Sequence, residues 1–204
     1  MREQNRTNDI YQAVAAIRKG DVVLVPTETV YGLACDATSI AAVQKIFELK
    51  RRPDNVSLPV MVESTDKALS LTENLECADR LLKLGSKFWP GPLTIVVPLG
   101  LDSKLLPFRK QSSIGIRCPG HNLLLKLLAE TGPLAVTSAN LHGAKPVETP
   151  EEARAIFNNQ ITYIDGGRCQ GKPSTVVSVL NKEPILLREG PISLGEIKSA
   201  MREN

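Results

Sequence analysis

Val25-Pro26-Thr27-Glu28-Thr29-Val30-Tyr31-Gly32-Leu33, entered from residues 21–25 and followed downstream by Lys50-Arg51-Arg52-Pro53, decides how this chain is read. Residues 21–25 read as a buried strand, and Pro26 ends its ladder because proline has no N–H to donate. Two hydroxyls, a carboxylate, a phenol and a turn glycine come directly after it. A helical segment then delivers three consecutive cations. Hydroxyls and backbone amides at a strand end, opposite Lys and Arg, suit an anionic ligand. Read locally, the same residues also describe a polar turn and a helix C-terminus whose cations complement the macrodipole.

Outward from this stretch the chain alternates helices and strands. Residues 9–19 place Ile10, Val14 and Ile17 at helical spacing, and Gly20 closes them. Ser39 caps a helix carrying Ile40, Val43, Ile46 and Phe47 on one face, and residues 58–62 form a short apolar strand. Residues 65–73 and 77–87 read as helices, and Trp89-Pro90-Gly91-Pro92 as irregular chain. Residues 93–97 and 114–117 are strands, 121–130 a Leu-rich helix, and 134–136 a buried strand. Thr149-Pro150-Glu151-Glu152 opens a helix with cap, proline and glutamate in their preferred places. Residues 161–164 read as a strand, and 176–180 with 185–187 as a hairpin. Ser193 caps a last helix. This is a single α/β domain over residues 1–204, its core about 7–198, and the hairpin implies a mixed sheet.

Composition narrows the function classes. Only 4% of the 204 residues are aromatic, against recognition by base stacking, and a net charge of +3 is too weak to argue for a duplex-binding protein. Cys35, Cys77, Cys118 and Cys169 form no CxxC pair and read as free thiols, and two histidines are too few for a zinc site. No apolar run is long enough to cross a membrane, and the polar start lacks a signal segment, so the expected location is cytoplasmic.

Gly166-Gly167-Arg168-Cys169-Gln170-Gly171-Lys172-Pro173 matches the spacing of a phosphate loop but puts proline where the magnesium-binding hydroxyl belongs. The β-branched run after it predicts a strand, whereas a phosphate loop must open a helix. The segment is read instead as a flexible glycine loop leading Ser174 and Thr175 into a strand. There is no G-x-S-x-G elbow, no dinucleotide fingerprint and no metal cage of spaced carboxylates. What survives is a set of polar groups at strand ends, where open α/β sheets bind ligands: Thr27 to Tyr31, Lys50 to Arg52, Ser113 with Arg117, Thr137 to Asn140, Ser174 and Arg188.

PTETVYGL at 26–33, KIFELKRRP at 45–53, FWPGPLT at 88–94, SIGIRCPGH at 113–121, PLAVTSAN at 133–140, DGGRCQGKPSTVV at 165–177 and LLREGPIS at 186–193 together carry a resemblance. In these segments, kept in order over nearly the whole chain, it resembles the YrdC family, the threonylcarbamoyl-AMP synthases, in their short single-domain form. The resemblance implies an α/β fold with a twisted mixed parallel/antiparallel sheet, flanking helices and a basic concave cleft. It implies a nucleotidyltransferase that joins ATP, bicarbonate and L-threonine into threonylcarbamoyladenylate and releases pyrophosphate. The product would pass to a tRNA threonylcarbamoyl transferase complex, with weak direct tRNA binding left open and no membrane involved.

Residue by residue, the resemblance implies ATP contacts at Lys50, Arg52, Ser113, Ser138, Asn140 and Arg188, and L-threonine contacts at Thr29, Arg117 and Ser174. Magnesium is expected through ATP, with no protein ligand, and no catalytic nucleophile is assigned: Lys50 and Arg52 act by positioning and charge neutralisation. Pro53 biases Arg52 toward extended geometry, so the helix before it is expected to end near Lys50. The chain departs from the family where Met61 replaces a common histidine, and where Pro173 and Pro146 replace polar residues. Two other readings stay open: an RNA-binding module of the same fold, and a paralogue that adenylates a different carbamoyl donor.

Overall fold

The computed structural model describes residues 2–51, 57–100, 103–108, 110–141, 143–157 and 161–202. Their order is α1 (Arg2–Arg18), β1 (Val23–Val25), β2 (Gly32–Asp36), α2 (Ile40–Lys50), β3 (Val60–Met61), α3 (Thr65–Leu69), α4 (Leu75–Phe88), β4 (Leu93–Pro98) and β5 (Ser113–Arg117). There follow α5 (Asn122–Thr131), β6 (Leu134–Ser138), α6 (Pro150–Phe157), β7 (Thr162–Tyr163), β8 (Thr175–Ser178), β9 (Ile185–Arg188) and α7 (Leu194–Arg202). The strands form one nine-stranded sheet in the order β7-β1-β2-β6-β3-β5-β4-β8-β9. Pairs β1–β7, β3–β5 and β4–β8 are parallel, while β1–β2, β2–β6, β4–β5 and β8–β9 are antiparallel. The expected mixed sheet and the β8–β9 hairpin are both present.

One strand of the sheet is not evident from sequence pattern. Gly32, expected as a turn glycine, opens β2, with Val25 opposite Gly32 on one side and Ser138 opposite it on the other. Its lack of a side chain is a packing requirement, since a Cβ there would meet Val136 Cγ1 at 2.8 Å. Pro26 to Tyr31 is thus the connection of a hairpin, which aims its hydroxyls across the sheet.

Capping residues act as their types predict. The Ser39 hydroxyl accepts from the Ala42 N–H at 3.2 Å, and Ser193 and Glu196 exchange the two bonds of a capping box. Helix α2 ends at Lys50, as expected, and Arg51 follows in the left-handed conformation at φ 50, ψ 42. The expected extended geometry of Arg52 before Pro53 lies outside the described residues.

Strand alternation distributes the core between two faces. Leu24, Leu33, Ala135, Ile95, Ile116 and Val177 join residues of α2 and α4 in the larger core. On the opposite face Val23, Val25, Ala34 and Val136 meet Ala13, Val14 and Ile17 of α1 and Leu124, Leu127 and Leu128 of α5. Each fully buried leucine contributes about 1.5–3 kcal/mol relative to an exposed one. This second cluster extends along the sheet to Met61 of β3. Past it, on β5, β4 and β8, the same face carries Gly115, Thr94, Val96 and Val176, which line a cavity. Gly115 keeps its floor low, since a Cβ there would lie 3.1 Å from Thr94 Cγ2.

Candidate functional site

The cavity has a volume of about 380 Å³, within the range for small-molecule sites. One wall is the hairpin loop with Thr27, Thr29 and Tyr31; the other is built by Ser174, Leu187 and Arg188 of the β8–β9 edge. Met61, Pro59, Val96 and Val136 supply an apolar floor.

Thr29, Arg117 and Ser174 all line this cavity, as expected from sequence. Arg117 is 4% exposed, and its Nε donates to the Gly91 carbonyl at 3.1 Å while Nη2 donates to Thr29 Oγ1 at 3.2 Å. Thr27 organises the loop behind Thr29. Its Oγ1 accepts from the N–H groups of Thr29 and Val30, both at 3.0 Å, and donates to the Val30 carbonyl at 2.7 Å. The two threonine hydroxyls lie 2.7 Å apart, and either can donate to the other. Thr29 thus holds its hydroxyl against both Thr27 and Arg117 at the cavity wall.

At the opposite wall Arg188 donates to the Ser174 carbonyl at 3.0 Å and to its hydroxyl at 2.9 Å. The Ser174 hydroxyl also lies 3.0 Å from Thr94 Oγ1. Although Arg188 as a residue is exposed, its guanidinium is partly covered. That burial, and secondly the like charge of Arg117, lower its pKa from the ordinary value. An arginine stays charged under such a shift. Two cations thus share one cavity.

The remaining expected ATP contacts divide. Ser138 lines the cavity with Arg188. Lys50 does not face it: the residue is 2% exposed, and its Nζ donates to the carbonyls of Ser138 at 2.5 Å and Asn140 at 2.6 Å. The helix end carries Lys50 under the end of β6, where it holds the strand's last carbonyls. Asn140 is likewise turned inward, its Nδ2 donating to Leu141 O at 2.9 Å and Ala144 O at 2.7 Å. Ser113 shares the face of Gly115 and Arg117 but sits at the far end of β5, beyond the lining residues. Arg52 lies outside the described residues.

The glycine loop is hydrogen-bonded to the hairpin loop. Tyr31 Oη donates to Gly167 O at 2.8 Å and accepts from Gly166 N, and Gly171 N donates to Thr29 O at 2.7 Å. Burial raises the Tyr31 pKa, keeping this bridge neutral. The loop runs into strand β8, as the rejection of a phosphate loop requires. Sequence reasoning did not single out Thr94, and it kept Glu28 only as one of the polar groups from Thr27 to Tyr31. Glu28 Oε1 lies 2.7 Å from Arg117 Nη2, and the only sequence signal for it is its place between two threonines. Burial first, then the charges of Glu28 and Glu63, push the neighbouring Cys118 thiol up to about 11. Among the described residues no group of three His, Cys, Asp or Glu side chains could hold a metal, and no helix is long and apolar enough to cross a membrane.

Fold and cavity together define an α/β protein with an amphiphilic, arginine-bearing cleft on the open face of its sheet. The chain belongs to the Sua5/YciO/YrdC family, whose model, described as "Telomere recombination", matches residues 15–190. It is 40% identical over 204 residues to the threonylcarbamoyl-AMP synthase of Bacillus subtilis, covering 96% of this chain and 58% of that protein. To the threonylcarbamoyl-AMP synthase of Klebsiella pneumoniae it is 31% identical over 183 residues, covering 89% of this chain and 95% of the relative. Its structure superposes on that of Pyrococcus abyssi Sua5 complexed with L-threonine with a TM-score of 0.87 at 34% identity, covering 95% of this chain and 57% of the other. The chain thus spans less than two thirds of the Bacillus and Pyrococcus proteins.

Proposed function

We infer that this chain makes L-threonylcarbamoyladenylate from L-threonine, bicarbonate and ATP, releasing pyrophosphate, as a nucleotidyltransferase that feeds threonylcarbamoyladenosine formation in tRNA. The observation that carries this reading is the convergence of Thr29, Arg117, Ser174 and Arg188 on one cavity. Kinship with named threonylcarbamoyl-AMP synthases over almost the whole chain supports it.

In this reading Arg117 takes the substrate carboxylate on its planar fork. The Thr29 hydroxyl orients the substrate carboxylate or its side-chain hydroxyl. Bicarbonate loses its hydroxyl to give carbon dioxide, which the amine takes up to form a carbamate; the amine proton leaves with that hydroxide as water. A carbamate oxygen then attacks the α-phosphorus in line, and pyrophosphate leaves. Arg188 and Ser138 bind the nucleotide in this reading, which their place in the cavity lining supports. Lys50 acts by shaping the Ser138–Asn140 turn. Such chemistry needs positioning and charge neutralisation more than a covalent nucleophile. Magnesium arrives with ATP: it favours phosphate and water oxygens, and among the described residues the cavity lining includes no carboxylate. The protein works in the cytoplasm and passes its product to a tRNA threonylcarbamoyl transferase complex, with at most weak tRNA binding of its own.

The test is pyrophosphate release from ATP and bicarbonate with and without L-threonine. Release that depends on L-threonine is expected. Release indifferent to the amino acid, or none at all, overturns the assignment.

A further inference from the structure

Glu28 belongs to the loop that carries Thr27 and Thr29, but it is not among the residues lining the cavity. It stands behind Arg117, its Oε1 2.7 Å from Nη2, with side-chain exposures of 15% and 5% for the pair. Both Glu28 oxygens are shut off from solvent, and neither accepts a well-aligned hydrogen bond. The short approach and the missing alignment together describe a charge-to-charge contact. Gly120 packs beside it, and a Cβ there would lie in ordinary contact, 3.4 Å from Glu28 Cδ and Oε1. Arg188 is held differently, by the carbonyl and hydroxyl of Ser174. Among the described residues it has no carboxylate partner.

Resting on the functional reading above, we propose that Glu28 is the positioning residue that fixes the Arg117 guanidinium and cancels its charge. The amino-acid end of the cavity is then close to neutral while the Arg188 end stays cationic. A zwitterionic amino acid fits a neutral pair, with its carboxylate on the Nη1 side of Arg117. A phosphate or pyrophosphate, carrying two or more negative charges, is repelled there by Glu28 and sorts to Arg188. The unequal neutralisation of two arginines thereby keeps the nucleotide's polyphosphate out of the amino-acid end.

The test compares the parent chain with Glu28→Gln, which keeps shape and removes charge, and Glu28→Asp, which keeps charge and shifts position. In Glu28→Gln the KM for L-threonine is expected to rise about tenfold, the scale of a displaced binding group, with the KM for ATP nearly unchanged. Pyrophosphate should become competitive with L-threonine in this variant but not in the parent. Glu28→Asp should raise the threonine KM less and leave the pyrophosphate pattern as in the parent. If Glu28→Gln does not fold, the threonine-specific KM rise in Glu28→Asp decides. Calorimetric titration with inorganic phosphate gives a readout independent of turnover: Glu28→Gln should bind it about fivefold tighter or more, since a repulsive charge is gone. A parent without threonine-dependent turnover refutes the functional reading, and the phosphate titration then decides on Glu28 alone. Unchanged phosphate affinity in Glu28→Gln, or equal shifts in both KM values, overturns the proposal.

Discussion

Lys50 Nζ lies 2.6 Å from the main-chain oxygen of Asn140, a residue 90 positions further along the chain. The contact joins the last turn of α2 to the turn after β6 and buries a lysine that the sequence presents as a ligand-facing cation. A buried ammonium is tolerated only when acceptors surround it, and the two carbonyls and Asn140 Oδ1 fill that role.

Lys50→Met is accordingly expected to destabilise the protein, although a phosphate contact alone would leave stability untouched. Stranding the Ser138 and Asn140 carbonyls should cost about 1–3 kcal/mol. ATP handling should weaken as well, through the displaced Ser138. Thermal unfolding by circular dichroism, beside an ATP titration, checks both. An unchanged midpoint with weakened ATP binding would return Lys50 to the role of a phosphate contact.

Arg188→Ala and Lys172→Ala should differ sharply. Arg188 anchors Ser174 and lines the cavity, whereas Lys172 is exposed on the glycine loop and is not a lining residue. Losing the charge-assisted contacts of Arg188 should lower threonine-dependent pyrophosphate release about ten- to hundredfold. Lys172→Ala should stay near the parent. Equal losses in the two variants would mean that the glycine loop binds phosphate after all.

L-serine should be used poorly and L-valine hardly at all, because a site that pairs a substrate hydroxyl leaves a buried group unpaired with an analogue lacking it. The Thr29 hydroxyl is the group at stake. Arg117→Lys should also be damaging, since an ammonium cannot keep Gly91, Thr29 and a substrate carboxylate together. Competition among the three amino acids measures the first point and the threonine KM of the variant the second. Equal product from threonine and valine would refute hydroxyl recognition.

Alkaline pH should unfold the protein through its buried thiols. Burial pushes Cys35 up to about 12 and Cys118 up to about 11, from 9.0. The folded state thus holds these protons after the unfolded chain has lost them. Their contribution is complete below pH 9 and is lost as pH rises from there towards 11 and 12. Urea midpoints under reducing conditions at rising pH should fall across that window, and less steeply in Cys35→Ala. Identical pH profiles for parent and variant would contradict this.

Helices and strands were largely legible because their signals are local. Ser39, Ser193 and Pro150 mark helix starts within one turn of where they lie. The β-branched run after Lys172 excludes a phosphate loop without any knowledge of the fold. Strand β2 was missed because Gly32 and its polar neighbours look like a turn until β6 and β1 close on both sides.

The sequence by itself determined the α/β order, the mixed sheet and, through seven matched segments, the family. These follow from periodicity, capping and residue identity, each readable without knowing what lies across the sheet. Only the tertiary structure decided where the polar side chains go. Lys50 and Arg188 are both basic residues at element ends, yet one is buried under β6 and the other lines the cavity. Glu28 and Arg117 meet only because β1 and β5 belong to one sheet whose helix cover ends between β3 and β5. A side chain's partner is set by packing between segments distant in the chain, and local pattern carries no information about that.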